Sequence, residues 1–247
     1  MRGFIVYSTY DNIDNQNYIY LYGKLENGKS FVTINKFSPY CYVRKKDAGK
    51  LPKKYSIEQT KLKNFKEEEV AKISFANKTE LNEFSKEFHK EMTLYESDIR
   101  PQYQFIIENN LLGTISIEGE HESSEKIDCV FRQPKIIPAH FKPKLKVASI
   151  DIETDRKGKL YCVGIYSENY KKNFMITKNE LKNVVSCDSE EDCLEKFKNE
   201  LNKIDPDIIT GWNVINFDFS TLRDLYRKHK IAFDIGRNND ELKMKIE

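Results

Sequence analysis

Two rhythms of apolar and polar positions divide this chain. In the first half short alternating runs dominate, and residues 3–9, 19–24, 30–34 and 40–43 read as strands. Asn27-Gly28 predicts a hairpin turn, because both residues tolerate positive φ. Residues 45–54 are basic and carry Gly49 and Pro52, so they read as a loop. Leu81, Phe84 and Phe88 recur at helical spacing and predict a helix capped by Thr79 that runs to about Met92. A second helix follows Arg100-Pro101 and uses Tyr103, Phe105 and Ile106. Further strands are expected at 114–117 and 128–132. Tyr18, Tyr20, Tyr22, Phe31 and Phe37 read as cross-strand core pairs rather than a platform for bases, because no basic residues interleave regularly with them. Residues 133–144 carry Pro134, Pro138 and Pro143 and mark a boundary between domains 1–144 and 145–247.

The second half changes rhythm. Residues 146–154 form a strand with Ala148, Ile150 and Ile152 on one face and Ser149, Asp151 and Glu153 on the other. A turn at 156–159 and strands at 160–166 and 173–177 follow closely, which implies an antiparallel meander. Ser189 caps a helix whose stripe is Leu194, Phe197, Leu201 and Ile204, and Asp205-Pro206 stops it. A buried strand at 208–212 leads to a last helix opened by Asp218, with Phe219, Leu222, Leu225 and Tyr226 inward. The order β-β-β-α-β-α, with an acidic pair on the first strand, is the beginning of a ribonuclease-H-like fold. The expected fold class is thus an α/β domain of this kind after a β-rich α+β domain. The fold normally continues with another strand and helix, whereas this sequence stops at Glu247.

Composition narrows the partners little. Basic clusters such as Arg44-Lys45-Lys46 read as solvated faces, and a net charge of +2 argues for no polyanion by itself. No apolar stretch approaches the length of a bilayer span, and the N-terminus lacks a secretory pattern. Five scattered cysteines, none in a C-x-x-C pair, fit neither a disulfide framework nor a zinc site. They point to a cytoplasmic protein with reduced thiols.

The candidate chemistry is acidic. Asp151 and Glu153 lie on one strand face with Cα atoms roughly 7 Å apart, so both can lean toward one cation. For the pair alone, the plainer reading is an edge strand with both carboxylates solvated. Gly211-Trp212-Asn213-Val214-Ile215-Asn216-Phe217-Asp218 then delivers a third carboxylate where a buried strand turns into a helix. Helix capping accounts for an Asp there, but not for Asn213, Trp212 and Phe217 around it. Three carboxylates brought together are what a two-metal phosphodiester site requires.

Ser149-Ile150-Asp151-Ile152-Glu153-Thr154 and Gly211-Trp212-Asn213-x-x-x-Phe217-Asp218 resemble the first two motifs of the 3′→5′ proofreading exonuclease of family-B DNA polymerases. The bacterial polymerase II branch is the nearer match, through Gly158-Lys159-Leu160-Tyr161-Cys162, Asp205-Pro206-Asp207-Ile208-Ile209 and Ile235-Gly236-Arg237-Asn238-Asn239-Asp240-Glu241-Leu242. In the first half, Tyr95-Glu96-Ser97-Asp98-Ile99-Arg100-Pro101 and Ile117-Glu118-Gly119-Glu120 are similar too. The resemblance implies that Asp151, Glu153 and Asp218 are catalytic metal ligands for two Mg²⁺ (or Mn²⁺) ions. It implies that Thr154, Asn213 and Phe217 hold the 3′-terminal nucleotide. The implied partners are DNA as a single-stranded 3′ end and primer-template, dNTPs for the parent polymerase, and a sliding clamp through a C-terminus beyond this sequence, with no membrane.

The third motif of that family, Tyr-x-x-x-Asp, does not follow Asp218. Tyr7-x-x-x-Asp11 and Tyr10-x-x-x-Asp14 match its letters in the wrong domain. His229-x-x-x-x-Asp234 resembles a histidine variant, but His229 lies roughly 16 Å along the helix from Asp218. The expectation is therefore an N-terminal fragment of a polymerase, with little nuclease activity of its own. A freestanding exonuclease and a non-catalytic DNA-binding module are the rival readings.

Overall fold

A computed structural model describes residues 1–237, 241, 242 and 244. The chain divides into two compact units, Met1–Pro143 and Lys144–Glu247. Among the described residues no helix is long and apolar enough to cross a membrane.

The first unit opens with a long hairpin of β1 (Arg2–Ile13) and β2 (Gln16–Leu25). Asp14 and Asn15 make its turn with φ of 50° and 62°, a two-residue connection that matches strand twist. The hairpin outruns the predicted strands because its polar tip carries no apolar alternation. β3 (Ser30–Lys36) pairs with β2. β4 (Tyr40–Arg44) leads into a single helical turn, α1 (Lys45–Ala48), inside the predicted loop. The basic run there is held by local ion pairs: Arg44 and Lys50 with Asp47, Lys45 with Glu69, and Lys46 with Glu68. β5 (Ser56–Lys63) and β6 (Glu69–Ser74) were not anticipated. β5 is an edge strand exposed on most of its length, so its sequence shows no alternation.

α2 (Lys78–Phe88) is capped by Asn77, not Thr79, and ends before Met92. Asn77 Oδ1 accepts from the Glu80 N–H at 3.0 Å while Glu80 accepts from the Ala76 N–H at 3.1 Å, a reciprocal cap. In α3 (Pro101–Glu108), Tyr103 is exposed and Gln104 is buried instead. The Gln104 amide accepts from the Tyr40 N–H and donates to the Tyr40 carbonyl, a polar fit that apolar periodicity does not reveal.

β7 (Thr114–Glu118), β8 (His121–Glu122), β9 (Cys129–Arg132) and β10 (Lys135–Pro138) complete a seven-stranded sheet ordered β10-β7-β1-β2-β3-β9-β8. β10 lies inside the proline-rich connector and pairs with β7. The tyrosines of β2 are not in the main core. Ile19, Leu21 and Phe31 fill that core, while Tyr20 and Tyr22 pack on the other face with Val32, Ile127 and Val130.

The second unit is a five-stranded sheet ordered β14-β13-β12-β11-β15. β11 (Val147–Thr154), β12 (Leu160–Ser167) and β13 (Tyr170–Ile176) form the antiparallel meander. β14 (Val184–Cys187), too short to read from sequence, adds a parallel edge to β13. α4 (Glu190–Ile204) is capped by Ser189 and ends at Asp205 in the left-handed region. β15 (Ile208–Thr210) pairs parallel with the first half of β11. A π-helical turn (Ile215–Phe219) leads into α5 (Ser220–Lys228). Ala148, Ile150 and Ile152 of β11 share one core with Leu194, Phe197, Leu222 and Tyr226 of the two helices. Ser149, Asp151 and Glu153 alternate to the other face of β11, where Asp151 and Glu153 stay exposed.

Candidate active site

β15 follows β11 only from Val147 to Ser149, and the chain then leaves the sheet at Gly211. A Cβ on Gly211 would lie 2.5 Å from the Ile150 carbonyl oxygen, so only glycine lets the two backbones pass this closely. Asn213 turns the chain with φ of 53°, a conformation asparagine tolerates better than most residues. The Phe217 N–H then donates to the Asn213 carbonyl at 3.0 Å, and the Phe219 N–H to the Val214 carbonyl at 2.8 Å. The wider π turn leaves Ile215 and Phe217 outside and buries Asp218 and Phe219.

Asp218 is therefore not a helix cap. Its Oδ1 accepts from the Ile152 N–H of β11 at 3.0 Å, in the place a neighbouring strand would occupy had β15 continued. Its Oδ2 is buried and has no hydrogen-bond partner. Burial pushes the Asp218 carboxyl up from its ordinary range; the Ile152 N–H opposes this and the charge of Asp151 adds to it. Asp151 and Glu153 stand opposite Gly164 and Cys162 of β12. Burial raises the Cys162 thiol, and the charges of Glu153 and Asp151 raise it further.

The structure thus brings Asp151 and Asp218 within electrostatic reach, with Glu153 two residues along the same strand. Among the described residues no three such groups close around a single point by themselves. The donor set is all oxygen, which suits Mg²⁺, an ion that usually takes one or two carboxylates and completes its shell with water and substrate phosphates. An anionic oxygen buried without a partner is an acceptor that a cation would satisfy, so the residues fit such an ion. Thr154 ends β11 at a bulge whose extra residue, on β12, is Tyr161. Asn213 and Phe217 are exposed on the Asp218 segment, and Trp212 beside them is 92% exposed.

The letter matches elsewhere play other parts. Tyr7, Tyr10 and Asp11 belong to β1, and Asp14 to the hairpin turn of the first unit. His229 Nε2 lies 2.6 Å from Glu190, and Asp234 pairs with Lys198 at 3.0 Å. Sequence reasoning missed the Ile152 N–H, which a reading by side-chain type does not register, and named Gly211 within the second motif without assigning its close pass of β11. It placed Arg237 in one similar segment and Asp205 and Asp207 in another but did not pair them: Arg237 binds Asp205 and Asp207 at 2.8 and 2.6 Å. Asp207 in turn accepts from the Lys146 N–H and so ties β15 to the start of β11. Of the similar segment 235–242, residues 238–240 lie outside the described residues.

The family described as DNA polymerase family B, exonuclease domain, matches residues 92–247. The chain belongs to this family. Its second unit is accordingly the ribonuclease-H-like exonuclease fold, with β14 added to the expected order. DNA polymerase II of Escherichia coli (strain K12) is 30% identical over 160 residues, which cover 61% of this chain and 20% of that protein. A DNA polymerase of Archaeoglobus fulgidus is 25% identical over 265 aligned positions, 98% of this chain and 32% of that one. The family-B polymerase structure from Pyrobaculum calidifontis superposes with a TM-score of 0.76 at 15% identity, covering 95% of this chain and 33% of its own. The chain thus spans a fifth to a third of the length of these relatives.

Proposed function

We propose that this chain carries the proofreading part of a DNA-directed DNA polymerase, with residues 1–144 as its N-terminal domain and 145–247 as its 3′→5′ exonuclease domain. The substrate is the single-stranded 3′ end of DNA, and the reaction is hydrolysis of its last phosphodiester. Asp151, Glu153 and Asp218 are the ligands for Mg²⁺ or Mn²⁺, two ions in the complete site. When bound, such ions polarise the phosphate, lower the pKa of a bound water and stabilise the departing 3′ oxygen. The observation that carries this reading is the buried, partnerless Oδ2 of Asp218 beside the Asp151 strand.

The protein's own residues then have separable tasks. The Ile152 N–H fixes the Asp218 carboxylate by Oδ1 and leaves Oδ2 available. Asp151 and Glu153 present their charge to solvent, where an incoming phosphate arrives. Phe217, 45% exposed, offers a ring to the terminal base, with Thr154 at the end of β11 and the exposed Asn213 on the Asp218 segment as its further contacts. With three carboxylates in the proposed site, metal and DNA binding are its informative properties.

Calorimetric titration with Mn²⁺ tests the reading on the wild type and on Asp151→Ala. Binding that the substitution abolishes is the expected result. A wild type that takes up no Mn²⁺, alone or with a 3′-ended single strand present, overturns it in favour of a non-catalytic module.

A further inference from the structure

The turn between β11 and β12 carries Arg156, Lys157 and Lys159, all exposed. Asp155 spends its carboxylate on the backbone of that turn, Oδ1 accepting from the Lys157 N–H at 2.7 Å and the Lys159 N–H at 2.9 Å. The Asp155 N–H donates to the Lys159 carbonyl at 2.9 Å, the Gly158 N–H donates to the Asp155 carbonyl at 3.0 Å, and Gly158 has φ of 80°. The turn is therefore built by its own backbone and one side chain. Among the described residues none of its three cations enters an ion pair, in contrast to the basic run at Arg44–Lys50. Arg156 lies three residues beyond Glu153, at most about 11 Å along the chain. Tyr161, the extra residue of the bulge beside this turn, is half-exposed.

Cations on a rigid turn with an aromatic ring beside them are the elements with which proteins track a single strand without reading its sequence. The geometry points to the Arg156–Lys159 turn as a positioning site for the phosphate backbone of single-stranded DNA whose 3′ end lies at Asp151, Glu153 and Asp218. This inference rests on the exonuclease reading and adds to it which residues hold the strand. A solvated turn without a partner would show the same exposure, so the test counts phosphate contacts.

Trp212 is the sole tryptophan of the chain and stands exposed on the Asp218 segment, so its fluorescence reports bases arriving there. Binding of oligo(dT) with a phosphorothioate at its last linkage is measured in Mn²⁺ across a salt series. The proteins are the wild type, a triple variant Arg156→Gln, Lys157→Gln, Lys159→Gln, and a control Lys171→Gln, Lys178→Gln, Lys182→Gln of equal charge. Each lost phosphate contact lowers the slope of log K against log salt by about 0.7, so the turn variant loses about 2 and binds at least roughly tenfold more weakly at low salt. The control keeps the wild-type slope, and Mn²⁺ titration of all three proteins stays the same. A turn variant with the wild-type slope, or a control with the same loss, overturns the positioning site and leaves the exonuclease reading standing. A wild type that binds Mn²⁺ but no single strand overturns both.

Discussion

Replacing Asp218 by Asn isolates the charge that the fold leaves uncompensated. The amide keeps an oxygen to accept from the Ile152 N–H, so the 3.0 Å contact survives while the negative charge is lost. A buried unsatisfied group costs about 1–3 kcal/mol, and more when charged. Both proteins bury one unsatisfied atom, but only the wild type buries a charged one, so the variant gains about 1 kcal/mol at pH 7 in a chelator. The sign follows from the raised carboxyl: the folded state favours its protonated form, and that stabilisation is lost as pH rises past the folded-state value. Divalent ions reverse the order. At a concentration of about 100 Kd an ion that binds only the folded state adds about 2.7 kcal/mol to the wild type, and the variant forgoes most of it. Urea denaturation followed by circular dichroism, with EDTA and with Mn²⁺, reads both effects. Equal shifts of the two proteins in Mn²⁺, or a variant less stable in EDTA, would refute the argument that Oδ2 awaits a cation.

Gly211→Ala pushes a methyl group to 2.5 Å from the Ile150 carbonyl, so β15 must separate from β11; a loss of about 2–3 kcal/mol in urea melts, with weaker Mn²⁺ binding, is expected. Glu190 experiences burial that raises its carboxyl, yet hydrogen bonds from His229, Lys228 and the Leu160 N–H outweigh it and bring it down to about 2. The stability it contributes is complete above its unfolded value near 4.5 and disappears as pH falls toward 2. Glu190→Gln therefore costs about 2 kcal/mol at pH 7, after allowance for solvent at Lys228, and flattens the acid limb of a plot of urea midpoint against pH. Arg237→Ala strips a partner from the fully buried side chain of Asp207 and lowers stability by about 3 kcal/mol, and Arg237→Lys, lacking the forked guanidinium, recovers only part of it in the same melts.

The Arg237 perturbation acts at a residue outside the carboxylate cluster and still bears on it. Arg237 and Asp207 set where β15 begins against Lys146, and β15 sets where Gly211 must leave the sheet. The position of Asp218 depends on that departure. A loss of Mn²⁺ affinity in Arg237→Ala would thus report displaced ligands rather than a missing one.

The local sequence determined the elements whose burial follows a simple period. The alternation of Ala148, Ile150 and Ile152 with Asp151 and Glu153 fixed β11 and put both acids on one face, because a strand repeats every two residues. The stripe of Leu194, Phe197 and Leu201 and the Ser189 cap fixed α4 in the same way, through the 3.6-residue turn. The motifs around Asp151 and Asp218 were enough to name the family that the match over 92–247 establishes. Periodicity could not show the polar closures, since each joins residues distant in the chain: Gln104 with Tyr40, Arg237 with Asp205 and Asp207, and Asp218 with the Ile152 N–H across 66 positions. Nor could it distinguish Asp218 as a cap from Asp218 as a buried acceptor. That was decided by where β15 stops, by the close pass at Gly211 and by the π turn, which together carry the carboxylate against the edge of β11 and away from its own helix end.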